Sequence, residues 1–286
     1  MKKIISISLL LTLVLSMSLF TGCGKKEGQN TSEDVYNNES QDNKDEDDSK
    51  KDSEKAETDK NTDKKFIVMG TSADFPPFEY IEAGEIVGFD IEISKKIAEK
   101  LGMELKIEDM KFGALTAALQ TGKIEFIAAG MTRDEEKAKV INFSDSYFKS
   151  TQVILVKKDS DVVKSKDDLV GKKIGVQLGT TGELEAKKVE DATVESYDAG
   201  YTAVLDLAKG RIDAVVIDQK PAEKFASKND KIVVLDEELT KEDYSLAVNK
   251  NNEELLTTIN EVLKEMHENG EYDKLYEKYF GKKVEE

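Results

Sequence analysis

The chain has one cysteine, Cys23, one histidine, His267, no tryptophan and 3 prolines in 286 residues. A lone cysteine excludes an intrachain disulfide and leaves neither zinc-ligand spacing nor a Cys-x-x-Cys redox pair. A Ser-His-Asp or Cys-His centre would have to be built around His267, which falls in a polar C-terminal helical segment where a solvated imidazole is expected. Basic charge is also short: 42 Lys and Arg stand against 59 Asp and Glu, a net charge of −17. That balance argues against nucleic acid or an anionic membrane surface as the main partner, because both attract basic patches. Part of the acidity lies in an N-terminal stretch, so it says little about a ligand.

What is present begins with Met1-Lys2-Lys3, an apolar run from Ile4 to Phe20, and Thr21-Gly22-Cys23-Gly24. A short basic region, an apolar core and small residues at its end form an export signal. The run is short for a bilayer span and is broken by Ser6, Ser8, Thr12, Ser16 and Ser18. Its Gly22-Cys23 end resembles a bacterial lipoprotein signal, with Phe20 where leucine is usual, which implies a signal over residues 1–22 and acylation of Cys23. Two or more acyl chains anchor stably where one does not. Residues 23–64 are almost all Glu, Asp, Lys, Ser, Asn, Thr and Gln. Such a stretch cannot bury enough apolar surface to offset its ordering entropy, so a disordered tether is expected.

The pattern changes at Phe66. Phe66-Ile67-Val68-Met69-Gly70 reads as a buried strand, Ile91 to Leu101 as a helix stopped by Gly102, Leu105-Lys106-Ile107 as a strand and Phe112 to Gln120 as a helix. Alternating strands and helices imply a largely parallel sheet with helices on its faces. The segment from Leu119 to Ile127 (LQTGKIEFI) is echoed from Leu207 to Val215 (LAKGRIDAV). Two copies about 90 residues apart fit two similar lobes rather than a solenoid repeat. Capping-box patterns also occur twice: Thr132 with Glu135 after one strand, and Thr180 with Glu183 after Ile174-Gly175-Val176. Facing each other across a cleft, two helix starts could grip one carboxylate from both sides.

Several separated motifs complete the picture: Asp74-Phe75-Pro76-Pro77-Phe78-Glu79-Tyr80, Gly88-Phe89-Asp90, Gly130-Met131-Thr132, Asn142-Phe143-Ser144-Asp145, the run from Gly175 to Gly182 and the run from Asp213 to Asp218. Together, and in order from Phe66 to Phe280, they resemble the family-3 periplasmic binding proteins for polar amino acids. That resemblance implies an α/β fold of two Rossmann-like lobes joined by a two-strand hinge, the periplasmic binding protein type II arrangement, with crossover strands near Tyr147 to Thr151 and near Asp243. Residues 65–149 and 245–286 would form a discontinuous first lobe, and residues 150–244 the second.

The resemblance also implies a ligand site. Phe75 and Phe112 match aromatic positions that sandwich a ligand side chain. Ala129, Gly130 and Thr132 match a loop that binds the α-amino and α-carboxylate groups. Thr181 matches a carboxylate donor of the second lobe, Gln177 faces the side chain, and Asp218 matches the acid that pairs with the α-ammonium. Charge-assisted bonds of this kind contribute about 1.5–3 kcal/mol each. Each position has a plainer reading as well: the phenylalanines as core, Asp218 as a cap at a strand end, and Glu79 as a solvated turn residue, a reading open to Asp74 too. Two departures stand out. Lys137 occupies the place of a carboxylate-gripping arginine, so either it makes one contact, or Arg133 supplies a guanidinium, or the ligand is not a standard α-amino acid. Ser72 stands where binders of basic and amide side chains often carry aspartate, with Asp74 two residues on.

The expected function is therefore binding without chemistry: capture of a polar or charged amino acid by hinge closure and delivery to the permease of an ABC transporter. The protein would act as a monomer, held at the extracytoplasmic face of the cell membrane by its lipid. No cofactor, metal or nucleic acid is called for. A dehydratase-like enzyme on the same scaffold would need converging carboxylates, and none are evident in the sequence. A ligand-sensing receptor component is the other alternative, and it would need a separate signalling partner.

Overall fold

The computed structural model describes residues 65–282. The signal over residues 1–22, the acylated Cys23 and the tether over residues 23–64 lie outside the described residues. Two five-stranded sheets carry the fold, and both are built on one plan. In the first, β1 (Phe66–Thr71) runs parallel to β5 (Glu104–Asp109) on one side and to β6 (Phe126–Ile127) on the other. β13 (Glu242–Asn249) and β7 (Ile141–Ser150) add antiparallel pairings at its edge, in the order β5-β1-β6-β13-β7. In the second, β9 (Lys173–Gln177) lies between β10 (Thr193–Tyr197) and β11 (Ala214–Asp218), all parallel. There β8 (Gln152–Lys157) and β12 (Ile232–Val234) add the antiparallel pairings, in the order β10-β9-β11-β8-β12. The two echoed segments end in β6 and β11, the third parallel strand of each sheet. The architecture is thus two α/β lobes, as expected, though each sheet has one strand, β13 in the first and β8 in the second, running against the other four.

The chain leaves the first sheet through β7 and enters the second through β8, turning at Thr151. It comes back through β13, whose first residues pair with the last of β7 (Glu242 with Ser150, Asp243 with Lys149). These two strands are the hinge. Their register shifts at Tyr244/Ser245 and again at Ser245/Ala247, and irregularities of this kind re-aim side chains.

Local sequence explains the elements that frame the cleft. A short three-stranded sheet of β2 (Asp74–Phe75), β3 (Glu79–Glu82) and β4 (Glu85–Val87) precedes α1 (Phe89–Leu101). Gly88 opens that helix at φ 143°, where a Cβ would lie 1.9 Å from the Phe78 carbonyl oxygen. Gly102 ends it in the left-handed conformation, φ 67°. α1 buries Ile91, Ile93 and Ile97, each contributing about 1.5–3 kcal/mol of apolar burial. Beneath the hinge lies an aromatic core in which Phe78 meets the rings of Phe89, Phe148, Tyr244 and Phe280. α7 (Glu253–Glu268) and α8 (Glu271–Phe280) complete the first lobe; His267, on α7, is exposed and lies against the Tyr272 ring. The helix expected from Phe112 to Gln120 is a 3-10 turn over Phe112–Ala114 followed by α2 (Leu115–Gln120).

The lobes touch across the cleft. Lys111 of the first forms an ion pair with Asp198 of the second, and Gly113 approaches Leu178 and Gly179. No helix among the described residues is long and apolar enough to cross a membrane.

Candidate ligand-binding cleft

One cavity between the lobes encloses about 360 Å³ of atom-free space, its open mouth included, and all ten expected ligand residues line it. The first lobe supplies Ser72 just after β1, Phe75 from β2, Phe112 from the 3-10 turn, Ala129, Gly130 and Thr132 from the loop after β6, and Lys137 from the four-residue α3 (Glu135–Ala138). The second lobe supplies Gln177 at the end of β9, Thr181 at the start of α4 (Thr181–Ala186) and Asp218 at the end of β11. Arg133 is exposed and is not among the lining residues, which leaves Lys137 as the cation at the site.

Two further residues line the cavity, Thr180 and Glu79. Glu79 is a correction to the sequence reading. It is fully buried instead of solvated, no N–H or hydroxyl donor reaches its oxygens, and its hydrogen-bonding neighbour is the Asp90 carboxyl. Burial, and then the charges of Asp90 and Asp74, hold its carboxyl well above the ordinary range. Where the sequence showed no converging carboxylates, the cavity wall carries two, Glu79 and Asp218, with Asp90 and Glu242 behind it. Asp90, in the first turn of α1, is 1% exposed, and Glu242 is 7% exposed in the hinge. Neither residue was singled out from sequence. Asp90 was visible only as the third member of the Gly88-Phe89-Asp90 motif, and Glu242 only as one of many acidic residues.

The cleft's polar groups are already partly engaged. Gly130 donates its N–H to Asp90 Oδ2 (2.9 Å), which also accepts from Tyr147 Oη (2.7 Å). Thr132 Oγ1 donates to Glu242 Oε2 (2.5 Å), and Glu242 Oε1 accepts from Thr240 Oγ1 (2.7 Å). Ser72 Oγ donates to Asp74 Oδ1 (3.1 Å). Burial raises both Asp74 and Asp90 to about 6. Gly130 is required twice over, by φ 52° and by a Phe75 ring atom 2.8 Å from where a Cβ would sit.

Asp218 occupies the residue before α6 (Gln219–Lys228), yet its side chain makes no capping bond there. It accepts from the Tyr244 hydroxyl of the hinge and from Ser150 Oγ (3.4 Å). Burial and then the charge of Glu242 raise its carboxyl. Lys137 Nζ pairs with Asp134 Oδ2 (2.5 Å), and Asp134 Oδ1 accepts the Lys137 N–H (2.7 Å). That second bond corrects another expectation: Asp134, not Thr132, caps α3, so the box of Thr132 with Glu135 does not form. The paired helix starts therefore do not exist as drawn. In the second lobe Thr180 does cap α4, while Glu183 reaches back one residue further than a capping box would, to the Gly179 N–H (2.8 Å).

In summed terms the cleft can hold a small zwitterion. Carboxylates and hydroxyl oxygens accept from an ammonium, the Lys137 cation and the Thr181 hydroxyl donate to a carboxylate, and two phenyl rings flank an aliphatic or cationic side chain. Among the described residues no group of three or more His, Cys, Asp or Glu side chains is placed to hold a metal ion. Two lobes, a two-strand hinge and a lined cleft define a type II periplasmic binding protein fold. The chain belongs to the bacterial extracellular solute-binding proteins, family 3, with residues 67–282 matched, and it is accordingly extracytoplasmic. It is 38% identical over 223 residues to the arginine-binding extracellular protein ArtP of Bacillus subtilis (strain 168), covering 76% of this chain and 87% of that one. It is 34% identical over 222 residues to the L-cystine-binding protein TcyJ of Escherichia coli (strain K12), covering 76% and 84%. The arginine-bound form of truncated ArgBP from T. maritima superposes with a TM-score of 0.69 at 48% identity, covering 71% of this chain and 96% of that one. These relatives are named as binding proteins for amino acids, and this chain shares with them the extracellular solute-binding family.

Proposed function

We propose that the protein captures an amino acid with a cationic side chain, of the arginine type, by hinge closure and hands it to the permease of an ABC transporter. It does so as a monomer anchored by lipid on Cys23, with residues 65–149 and 245–286 as one lobe and 150–244 as the other. The observation that carries the ligand class is Glu79, a fully buried carboxyl on the cavity wall that no cation and no N–H or hydroxyl donor of the described residues satisfies, with the acidic Asp90 as its neighbour. Burial and the neighbouring acids disfavour its charged form, and a guanidinium or ammonium brought by the ligand would restore and pair that charge. The similarity to arginine-binding relatives supports the same choice. Asp218 and the oxygen of Thr132 would take the α-ammonium, Lys137 and Thr181 the α-carboxylate. Phe75 and Phe112 would cover the side chain, with Ala129, Gly130, Ser72 and Gln177 closing around it.

A thermal-shift series on the purified protein tests this, with arginine, ornithine, lysine, histidine, glutamine and cystine as ligands. The largest rise in melting temperature is expected with a cationic amino acid. A shift confined to uncharged or acidic ligands would overturn the choice. Release from the membrane fraction by Cys23→Ala tests the anchor.

A second reading has one observation in its favour. A carboxyl held protonated in a cavity, as burial holds Glu79, is also what a dehydratase-like acid catalyst requires. Mass spectrometry of the ligand recovered from the protein separates the two: a binding protein returns it unchanged.

A further inference from the structure

The first-lobe wall of the cleft follows a pattern that no single contact reveals. Three of its hydrogen-bond donors point away from the cavity's interior and into a carboxylate behind. Ser72 Oγ donates to Asp74 Oδ1, the Gly130 N–H to Asp90 Oδ2 and Thr132 Oγ1 to Glu242 Oε2. A hydroxyl has one proton. Once that proton is committed to a carboxylate, the oxygen can offer a ligand only its lone pairs.

Glu242 commits Thr132 most firmly. It is buried, at 7% exposure, at the first residue of the hinge strand. Its other oxygen accepts from Thr240 Oγ1, which in turn accepts the Gln152 N–H (2.8 Å). A carboxylate has no proton to give, so Thr240 and Thr132 both donate to Glu242, which accepts on both sides. The bridge between Thr132 and Tyr244 holds the loop against the same strand.

We infer that Glu242 is a positioning residue that makes the Thr132 hydroxyl an obligatory acceptor toward the ligand, and so selects a protonated amine over an uncharged hydroxyl at that place. The inference rests on the amino-acid reading above and deepens it. Asp90 and Asp74 act in the same sense on Gly130 and Ser72, so the wall as a whole favours ligands rich in N–H. A 2-hydroxy acid could still donate one proton, but it brings no charge and only one donor where an ammonium brings three.

The experiment measures the ratio of affinities, by titration calorimetry, for an L-amino acid that binds and for its 2-hydroxy acid counterpart. Wild type, Glu242→Met, Thr132→Val and the double variant are compared, each checked for native melting. Glu242→Met frees the Thr132 proton, and the amine preference is expected to fall by about tenfold. Thr132→Val is expected to lower it similarly, and the double variant no further than Thr132→Val alone. An unchanged ratio in Glu242→Met overturns the inference. So does a Glu242→Met effect that persists undiminished beside Thr132→Val, because the carboxylate would then act by its charge and not through Thr132. If Glu242→Met does not fold, Thr132→Val alone decides: an unchanged ratio overturns the inference. A wild type that binds no amino acid at all removes the underlying reading and this inference with it, an outcome distinct from normal binding with an unchanged ratio.

Discussion

Glu183 of the second lobe and Glu79 of the first are both buried carboxyls, and the fold treats them in opposite ways. In the second lobe Glu183 is 6% exposed, but its carboxylate accepts from the Gly179 N–H and from Ser196 Oγ (2.8 Å each) and pairs with Lys187 (2.9 Å). Burial pushes its carboxyl up, and those partners together bring it below the ordinary value. In the first lobe Glu79 meets no cation and no N–H or hydroxyl donor, and its neighbour is another acid, Asp90. The carboxyls of Glu79, Asp90 and Asp74 are all raised, by burial first. A structural carboxylate is fully satisfied within the fold, whereas one awaiting a ligand is not. The contrast separates a carboxylate that holds the fold together from the carboxyls on which the proposed cationic ligand would act.

Glu79→Gln should break the contrast most visibly. Loss of a buried charge opposite a ligand cation costs roughly 2–5 kcal/mol, about a hundredfold in affinity, while the unliganded protein should melt no lower than wild type. Calorimetry and melting of the same samples check both halves, and a lowered melting point with intact affinity would reverse the assignment. Asp218→Asn comes next. It should weaken binding at least about tenfold, and equal affinity in the variant would remove Asp218 from the ammonium site. Glu183→Gln should behave the other way, destabilising the fold by about 1–2 kcal/mol with affinity nearly unchanged, read by denaturant unfolding with and without ligand.

The smallest effect is a pH dependence of opposite sign in the two forms. Asp74 and Asp90 are raised from 3.8 to about 6 in the folded chain, so between those values they hold protons that the unfolded chain has lost. The folded, unliganded state therefore gains from these groups as pH falls from about 7 to about 5, and that contribution is lost as pH rises through 6. A cationic ligand needs the charged carboxylates, so the ligand-induced rise in melting temperature should shrink over the same interval. A ligand-induced shift that grows toward acid would contradict this account.

Much of the site was legible because it lies where strands end. Phe75, the Ala129 to Thr132 loop, Gln177, Thr181 and Asp218 all follow strands whose apolar runs are plain in the sequence, and binding loops gather at such ends. The Gly130 requirement was also readable as a glycine beside an apolar strand, although its reason, the approach of the Phe75 ring, was not. Glu79 was misread because a glutamate in a four-residue hairpin strand carries no local mark of burial, which only the folded chain supplies. The Thr132 box failed because Asp134 competes for the same helix start and wins two bonds to Lys137, a choice between caps that spacing alone does not rank.

Residue order alone thus determined the alternation of strands and helices, the doubling of one α/β unit and the residue types available at the strand ends, because hydrophobic periodicity and turn residues act over short stretches of chain. Only the tertiary structure decided which donors are already spent. Asp74 lies close to Ser72 in sequence, but Asp90 reaches Gly130 across 40 positions and Glu242 reaches Thr132 across 110. Whether a hydroxyl donates or accepts depends on the partner that folding brings to it, and that partner is set by the hinge geometry rather than by any neighbour in the chain.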